Sequence, residues 1–211
     1  MSDAFATNAV STSQPGCVLF PQALDKAGQE SLAKALREVL NAAPLFQPVM
    51  PRTGKPLSVR MSNCGPLGWV ADKAGYRYQP NHPVTGEPWP AIPDSLIALW
   101  KNVVPDAPDP EACLINWYDP EAKMGLHQDR DEETFDAPVL SLSLGDDALF
   151  KLGGTQRGGK TQSIRLASGD VLVLGGPSRL AFHGVTRIYP GTSTLLDAPG
   201  RINLTLRRVT P

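Results

Sequence analysis

Seven consecutive residues near the end of the chain, Arg201-Ile202-Asn203-Leu204-Thr205-Leu206-Arg207, alternate polar and apolar without a break. A period of two belongs to an extended strand, whose side chains point alternately to opposite faces. Ile202, Leu204 and Leu206 then demand an apolar layer, while Arg201, Asn203, Thr205 and Arg207 form a polar row on the other side. Related texture begins at Ala112. Segments 112–118, 139–144, 149–152, 163–166, 171–174 and 180–183 are short apolar or alternating runs separated by Gly, Pro and Asp. Short strands punctuated by turn residues predict an all-β sandwich or barrel. A jelly roll of about eight strands is the architecture that fits them best.

The upstream half is organised differently. Leu32, Leu36, Val39 and Leu40 repeat at helical spacing within 25–41, with Asp25 or Gln29 as the start and Pro44 just past the end. A second helix is predicted over 94–104, with Asp94 as N-cap and Leu96, Ile97, Trp100, Val103 and Val104 as its apolar stripe. Pro105, Pro108 and Pro110 then break the chain. Between the helices, 51–90 mixes Gly and Pro with Trp69, Tyr76, Tyr78 and Trp89, which predicts loops and short hairpins rather than packed core. The Ser-, Thr- and Ala-rich residues 1–14 predict a mobile tail; they lack the basic and apolar regions of a signal peptide. The expected fold class is mainly β with flanking helices (α+β). A single domain covers 15–211, with helices and a lid over 15–110 and the jelly-roll core over 111–211.

Composition excludes several functional classes. Hydrophobic residues make up 41% of the 211, enough for a sizeable core, yet no run approaches the ~20 apolar residues of a membrane helix. Cys17, Cys64 and Cys113 are odd in number and far apart, which argues against a disulfide framework or zinc knuckle and for a reducing, cytoplasmic setting. The formal net charge of −1 gives no general affinity for polyanions. Nucleic-acid binding would have to use local clusters: Arg52, Lys55 and Arg60; Lys73 and Arg77; Arg157 and Lys160.

Of three histidines, two form a pattern with a carboxylate: His127-Gln128-Asp129, then His183. His127 and Asp129, two apart, point the same way in extended backbone, and a jelly roll can bring His183 beside them. Two imidazoles and one carboxylate suit a facially bound Fe(II) that keeps positions open for co-substrate and O2. His82, beside Pro83, reads as a loop-packing or exposed histidine with no ligand role. The polar row of the 201–207 strand could be a solvated edge. Its mixture of Arg with Asn and Thr, following soon after His183, instead suits hydrogen bonding to a fixed anion. Guanidinium forks pair naturally with carboxylates. Asn116 and Tyr118, also two apart, could add donors to the same ligand.

Taken together, Asn116-Trp117-Tyr118, His127-Gln128-Asp129, His183 and the alternating 201–207 strand resemble the motif set of the AlkB family, Fe(II)- and 2-oxoglutarate-dependent dioxygenases that repair alkylated nucleic-acid bases. Upstream, Met61-Ser62-Asn63-Cys64-Gly65, Leu67-Gly68-Trp69, Gly75-Tyr76-Arg77-Tyr78 and Pro88-Trp89-Pro90 look like the nucleotide-recognition segment of the bacterial members. The resemblance covers about residues 49–208. It implies His127, Asp129 and His183 as iron ligands. It implies Asn116, Tyr118, Arg201, Asn203 and Arg207 around 2-oxoglutarate, with Thr205 adjacent. It implies Trp69 stacked on a flipped base opposite His127, Tyr76 and Tyr78 on the substrate backbone, Asp131 at the polar edge of the base, and Arg157 over the pocket mouth. The implied substrate is alkylated single-stranded DNA, with RNA as a second candidate, acted on by a monomer. Trp117, Leu174 and Ala181 depart from the family pattern, and a roomier or drier pocket wall is expected from them.

From residue types alone, Trp69, Tyr76 and Trp89 read more readily as a satellite core under loops, and Asp131, Glu132 and Glu133 as a solvated acidic run. Trp89, between two prolines, keeps that reading. Aromatic surfaces are also what an enzyme needs to hold a base taken out of its stack. Two rival functions share part of the set. A hydroxylase of protein or small molecules would use the triad and the Arg strand without needing Trp69, Tyr76 or Asp131. A non-catalytic nucleic-acid module would not need the triad.

Overall fold

The computed structural model describes residues 8–211. Its strands, in chain order, are β1 (Val10–Ser11), β2 (Cys17–Phe20), β3 (Arg60–Cys64), β4 (Gly68–Asp72), β5 (Gly75–Gln79), β6 (Ala112–Tyr118), β7 (Met124–His127), β8 (Val139–Gly145), β9 (Asp147–Leu152), β10 (Gln162–Leu166), β11 (Val171–Leu174), β12 (His183–Tyr189) and β13 (Arg201–Arg207). Helix α1 spans Lys26–Ala42 and α2 spans Asp94–Val103. Strands pair into a seven-stranded antiparallel sheet, β1-β2-β11-β8-β13-β6-β3, and a four-stranded one, β10-β9-β12-β7. A separate hairpin joins β4 to β5. This is the expected jelly roll with flanking helices.

The alternation in β13 decides what lies on each side of the large sheet. Ile202, Leu204 and Leu206 are buried with Leu32 and Leu36 of α1 and Leu96, Leu99 and Trp100 of α2. Both helices therefore cover the outer face. Asp25 caps α1, accepting from the Gly28 amide at 2.8 Å. At α2 the cap expected of Asp94 falls instead on Pro93, which has no side chain to offer; Asp94 is in the first turn, where its charge favours the positive end of the helix. The inner face packs Leu114, Val139, Leu172 and Leu174 against Phe150, Leu152, Ile164 and Val185 of the small sheet. Filling stops short of one end, and the space left there is the cavity described below.

Four expectations need correction. Residues 51–90 contribute to the packed core: β3 pairs with β6, and Met61, Ser62, Asn63 and Cys64 are all buried. Strand β6 would otherwise end the sheet with unpaired backbone groups. The division at residue 110 is therefore crossed, since β2 and β3 both belong to the large sheet. The tail expected over 1–14 gives way by Val10, where β1 pairs with β2, and Ser13 bonds Gln162 at 2.6 Å; residues 1–7 lie outside the described part. The strand expected over 180–183 begins only at His183, because the amides of Ser178, Arg179 and Ala181 fold back onto the Gly175–Ser178 turn.

Candidate active site

Strand pairing brings the distant ligands together. His183 stands directly opposite His127 in the β12–β7 register, and their ring centroids are 4.5 Å apart. Asp129, two residues past the end of the β7 ladder, lies with Oδ1 3.7 Å from His127 Nε2 and Oδ2 3.6 Å from His183 Nε2. One ligand atom from each of the three falls within a 4.8 Å span, so they could hold a single metal ion. The second ring nitrogens are engaged by backbone: His127 Nδ1 with the Gly125 carbonyl and His183 Nδ1 with the Ala181 carbonyl, both at 2.9 Å. Each imidazole donates from Nδ1 and so offers Nε2 as a lone pair. Burial pulls the His183 pKa down to about 4, although the Asp129 charge opposes this, which keeps the ring in its ligating form.

Asp129 is 7% exposed, and burial alone would favour its neutral form. The Arg207 guanidinium, with help from His183, His127 and Arg179, overrides that effect and holds the carboxyl well below the usual range. Arg207 Nη2 pairs with Asp129 Oδ2 at 2.8 Å, and Nη1 accepts company from two sides: it donates to the Tyr78 hydroxyl at 2.8 Å and lies 3.4 Å from Glu132 Oε1. The Tyr78 hydroxyl in turn donates to Glu132 at 2.6 Å. Arg179 donates to the Asp129 carbonyl at 2.8 Å. Its Nη2 lies 3.3 Å from Glu132 Oε2, close enough for charge pairing but not aligned as a hydrogen bond.

Arg201 is in the opposite condition. It is 1% exposed, and Nη2 donates to Ser143 Oγ at 2.8 Å, while Nε and Nη1 have no partner. Burial lowers its pKa, Tyr118, Asp170 and Asp147 offset this only in part, and among the described residues no carboxylate pairs with it directly. A buried cation with two idle donors is a socket for an anion. Beside it run Asn116, Asn203 and Thr205: Asn203 Oδ1 accepts from Asn116 at 3.3 Å and from Thr205 at 3.0 Å. Asn116 Oδ1 is itself without a partner. Tyr118 completes the group, its phenol pushed up to about 12 by burial.

Both sets open into one cavity of about 620 Å³, whose lining includes the triad, Arg201, Asn203, Thr205, Arg207, Asn116 and Tyr118. Trp69, Tyr76, Asp131 and Arg157 line it too. On the β4–β5 hairpin Trp69 faces Tyr78 across the ladder, so Trp69, Tyr76 and Tyr78 share one face. Tyr76 stacks on Trp69 at 5.6 Å, and Trp69 Nε1 donates to Asp131 Oδ2 at 2.8 Å. Arg157 lies over the Phe182 ring at 5.3 Å. Tyr78, half-buried on that face, has its hydroxyl bonded to Arg207 and Glu132.

Several other positions are now placed. His82 is a loop-packing histidine, bonded through Nε2 to the Pro44 carbonyl at 2.8 Å. Trp89 is buried with Ala43 and Val70. Trp117 faces away from the cavity, toward the layer of helices, and Ala181 is buried beside it rather than lining it; of the three departures, Leu174 lines the wall. Glu132 and Arg179 were missed. Glu132 sits in an acidic run that reads as solvated, and Arg179 follows a turn; no periodicity marks either as buried. Ser143, the partner of Arg201, is visible only once β8 is paired with β13.

Comparison with known proteins agrees with this geometry. The profile of the 2OG-Fe(II) oxygenase superfamily matches residues 16–207. An alpha-ketoglutarate-dependent dioxygenase AlkB homolog of Caulobacter vibrioides is 51% identical over 92% of this chain and 88% of its own length. The alpha-ketoglutarate-dependent dioxygenase AlkB of Escherichia coli is 44% identical over 85% of this chain and 84% of its own. A Schizosaccharomyces pombe protein named tRNA demethylase is 31% identical over 74% of this chain and 57% of its own. Among solved structures, OsALKBH1 superposes with a TM-score of 0.81 at 32% identity, covering 95% of this chain and 99% of that one. The chain belongs to the AlkB family of 2OG-Fe(II) oxygenases.

Proposed function

We propose that this chain oxidatively dealkylates N-alkylated bases, with 1-methyladenine and 3-methylcytosine in single-stranded DNA as the main substrates and RNA as a further one. The carrying observation is that a metal-competent triad, an anion socket and a Trp69–Asp131 bracket line one cavity. His127, Asp129 and His183 would hold Fe(II). Arg201, with Asn116, Tyr118, Asn203 and Thr205 around it, would hold 2-oxoglutarate, and Arg207 would serve both the co-substrate and Asp129. Held there, Fe(II) and 2-oxoglutarate would supply the oxidation, with O2 spent in turning 2-oxoglutarate to succinate and CO2 and in hydroxylating an N-methyl group of the base. The resulting cationic hemiaminal would lose formaldehyde and a proton, which restores the ring-nitrogen lone pair of the neutral base.

The protein's own part is to orient and to keep water out. The Trp69 indole offers a flat surface, held by Asp131 at its edge and by the stacked Tyr76 ring. Base–aromatic stacking is worth about 1–3 kcal/mol. The remaining Asp131 oxygen is free to accept from an exocyclic amine or to favour a cationic alkylated base. Single strands are preferred because they avoid a few kcal/mol of unpairing. We also infer a monomer, and a reducing cytoplasm with which three free, buried cysteines are consistent; no helix among the described residues is long and apolar enough to cross a membrane.

The test is formaldehyde release from methylated single-stranded DNA, duplex DNA and RNA, by wild type and Trp69→Ala. Trp69→Ala should lower demethylation severalfold or more while 2-oxoglutarate turnover without nucleic acid changes little. Loss of both activities together would return Trp69 to a packing role. No formaldehyde from any methylated oligonucleotide would favour a hydroxylase of protein or small molecules.

A further inference from the structure

The net charge of −1 hides a local asymmetry at one corner of the molecule. Residues 50–55 form a tight turn, closed by the Met50 amide on the Lys55 carbonyl at 2.9 Å and by Gly54, at φ +67°, on the Met50 carbonyl at 2.8 Å. Residues 72–75 form the β4–β5 turn. These turns come from different hairpins yet meet: the Val49 amide bonds the Ala71 carbonyl at 3.2 Å, and Lys73 Cε is 3.9 Å from where a Cβ on Gly54 would stand. Three exposed cations, Arg52, Lys55 and Lys73, are thereby gathered from two separate stretches of sequence.

The other basic residues of those stretches are accounted for within the protein. Arg60 pairs with Asp119 at 3.1 Å and Arg77 with Asp72 at 2.8 Å. The second pair also occupies the carboxylate nearest Lys73 in sequence. Among the described residues, Arg52, Lys55 and Lys73 take part in no ion pair. Both turns spring from the cavity rim, since Met50, Leu57 and Tyr76 line the cavity. A strand with one base in the cavity would carry flanking phosphates within reach of these turns.

We propose that Arg52, Lys55 and Lys73 form a docking surface for the phosphodiester backbone of nucleotides flanking the base in the cavity. The proposal rests on the nucleic-acid reading above and assigns to these turns the electrostatic grip that the chain as a whole lacks. Each phosphate neutralised on a single strand releases counterions and steepens the salt dependence of binding by about 0.7 in log–log slope.

The experiment compares wild type with Arg52→Gln/Lys55→Gln/Lys73→Gln. Fluorescence anisotropy with a single-stranded oligonucleotide of about fifteen nucleotides, a span typical of single-strand sites, is followed from about 50 to 200 mM salt. Demethylation of the methylated form of that oligonucleotide is compared with that of a methylated trinucleotide. The expected result is a slope shallower by about 2 in the variant, from three contacts at ~0.7 each, and a fall of about tenfold in the ratio of oligonucleotide to trinucleotide activity. Equal slopes and equal ratios in the two proteins overturn the proposal and leave the demethylase reading standing. Salt-dependent binding that the variant loses, with no demethylation by wild type, overturns the demethylase reading and leaves the docking surface standing.

Discussion

Arg201→Met exchanges a guanidinium that is 1% exposed for an unbranched apolar side chain, and the ligand-free protein should tolerate it. In the native chain Nε and Nη1 are buried without partners. An unsatisfied buried donor costs roughly 1–3 kcal/mol, so the two together cost about 2–6 kcal/mol. The substitution gives up one hydrogen bond, from Nη2 to Ser143 at 2.8 Å, whose loss costs about 1.5–3 kcal/mol for a charged donor. Without 2-oxoglutarate the variant should therefore melt at or above the wild-type temperature. Binding should move the other way. A carboxylate filling the two idle donors makes two charge-assisted bonds worth roughly 1.5–3 kcal/mol each. Their loss weakens 2-oxoglutarate by about a hundredfold or more. Calorimetry with Mn(II) as a redox-inert occupant of the triad reads the affinity. Thermal melts read the linkage: 2-oxoglutarate at 100 times its Kd adds about 2.7 kcal/mol, roughly 5–10 °C for a chain of this size, and the variant should gain no more than about 0.4 kcal/mol, or about 2 °C, at that concentration. Wild-type affinity in Arg201→Met, or a melt far below wild type without ligand, would refute the reasoning and make Arg201 a structural residue.

Glu132→Ala should be among the most destabilising single changes, because it leaves Arg179 and the Arg207–Tyr78 pair without their shared anion. Removing one member of a buried charge cluster costs about 3–5 kcal/mol; denaturant unfolding should show it, with Glu132→Gln milder because it still accepts from Tyr78, and equal wild-type stability in both would exclude the network from the fold's support. Acid should weaken the metal-free protein in a defined window. His183 is held neutral to about pH 4 when folded but protonates near 6.5 when unfolded, so the unfolded chain binds the extra proton between those values. Stability then falls as pH drops from about 6.5 to about 4, by up to about 3 kcal/mol at 1.36 kcal/mol per unit; a flat profile there, or its persistence in His183→Gln, would count against the assignment.

Where the sequence was legible, a period or a spacing carried the signal. The alternation of 201–207 predicted both the strand and the split of its faces, since the apolar row had to meet a layer and the polar row did not. His127 and Asp129 share a direction for the same reason, and the opposition of His183 to His127 follows once β12 and β7 pair. Illegible features were those set by pairing between distant segments. Nothing in Arg60–Cys64 says that it completes the edge beside β6, and a four-residue strand such as Cys17–Phe20 is too short for a pattern. Glu132 fails for a sharper reason: its neighbours Asp131 and Glu133 are exposed, and one buried carboxylate within an acidic run carries no local mark.

The two arginines of β13 show what the pattern alone could not separate. Both lie on the same polar face, at the two ends of one strand, and both are buried. Arg207 has its anions built in, at Asp129 and Glu132, and its guanidinium is held firmly charged by them against the cost of burial. Arg201 has one hydroxyl and two idle nitrogens. Burying a cation without a counterion is costly enough that a fold retains it only where something else supplies the charge. The difference assigns different work to chemically identical residues. Arg207 fixes the orientation of a metal ligand and, through Tyr78, ties the β4–β5 hairpin over the cavity to the floor of the site. Arg201 keeps two idle donors and Arg207 only Nε, so the acid of the proposed function would lean chiefly on Arg201 and secondarily on Arg207. The alternation of seven residues places the charges, and the neighbours supplied by β8 and by the loop after β7 determine how much of each charge is already met within the protein.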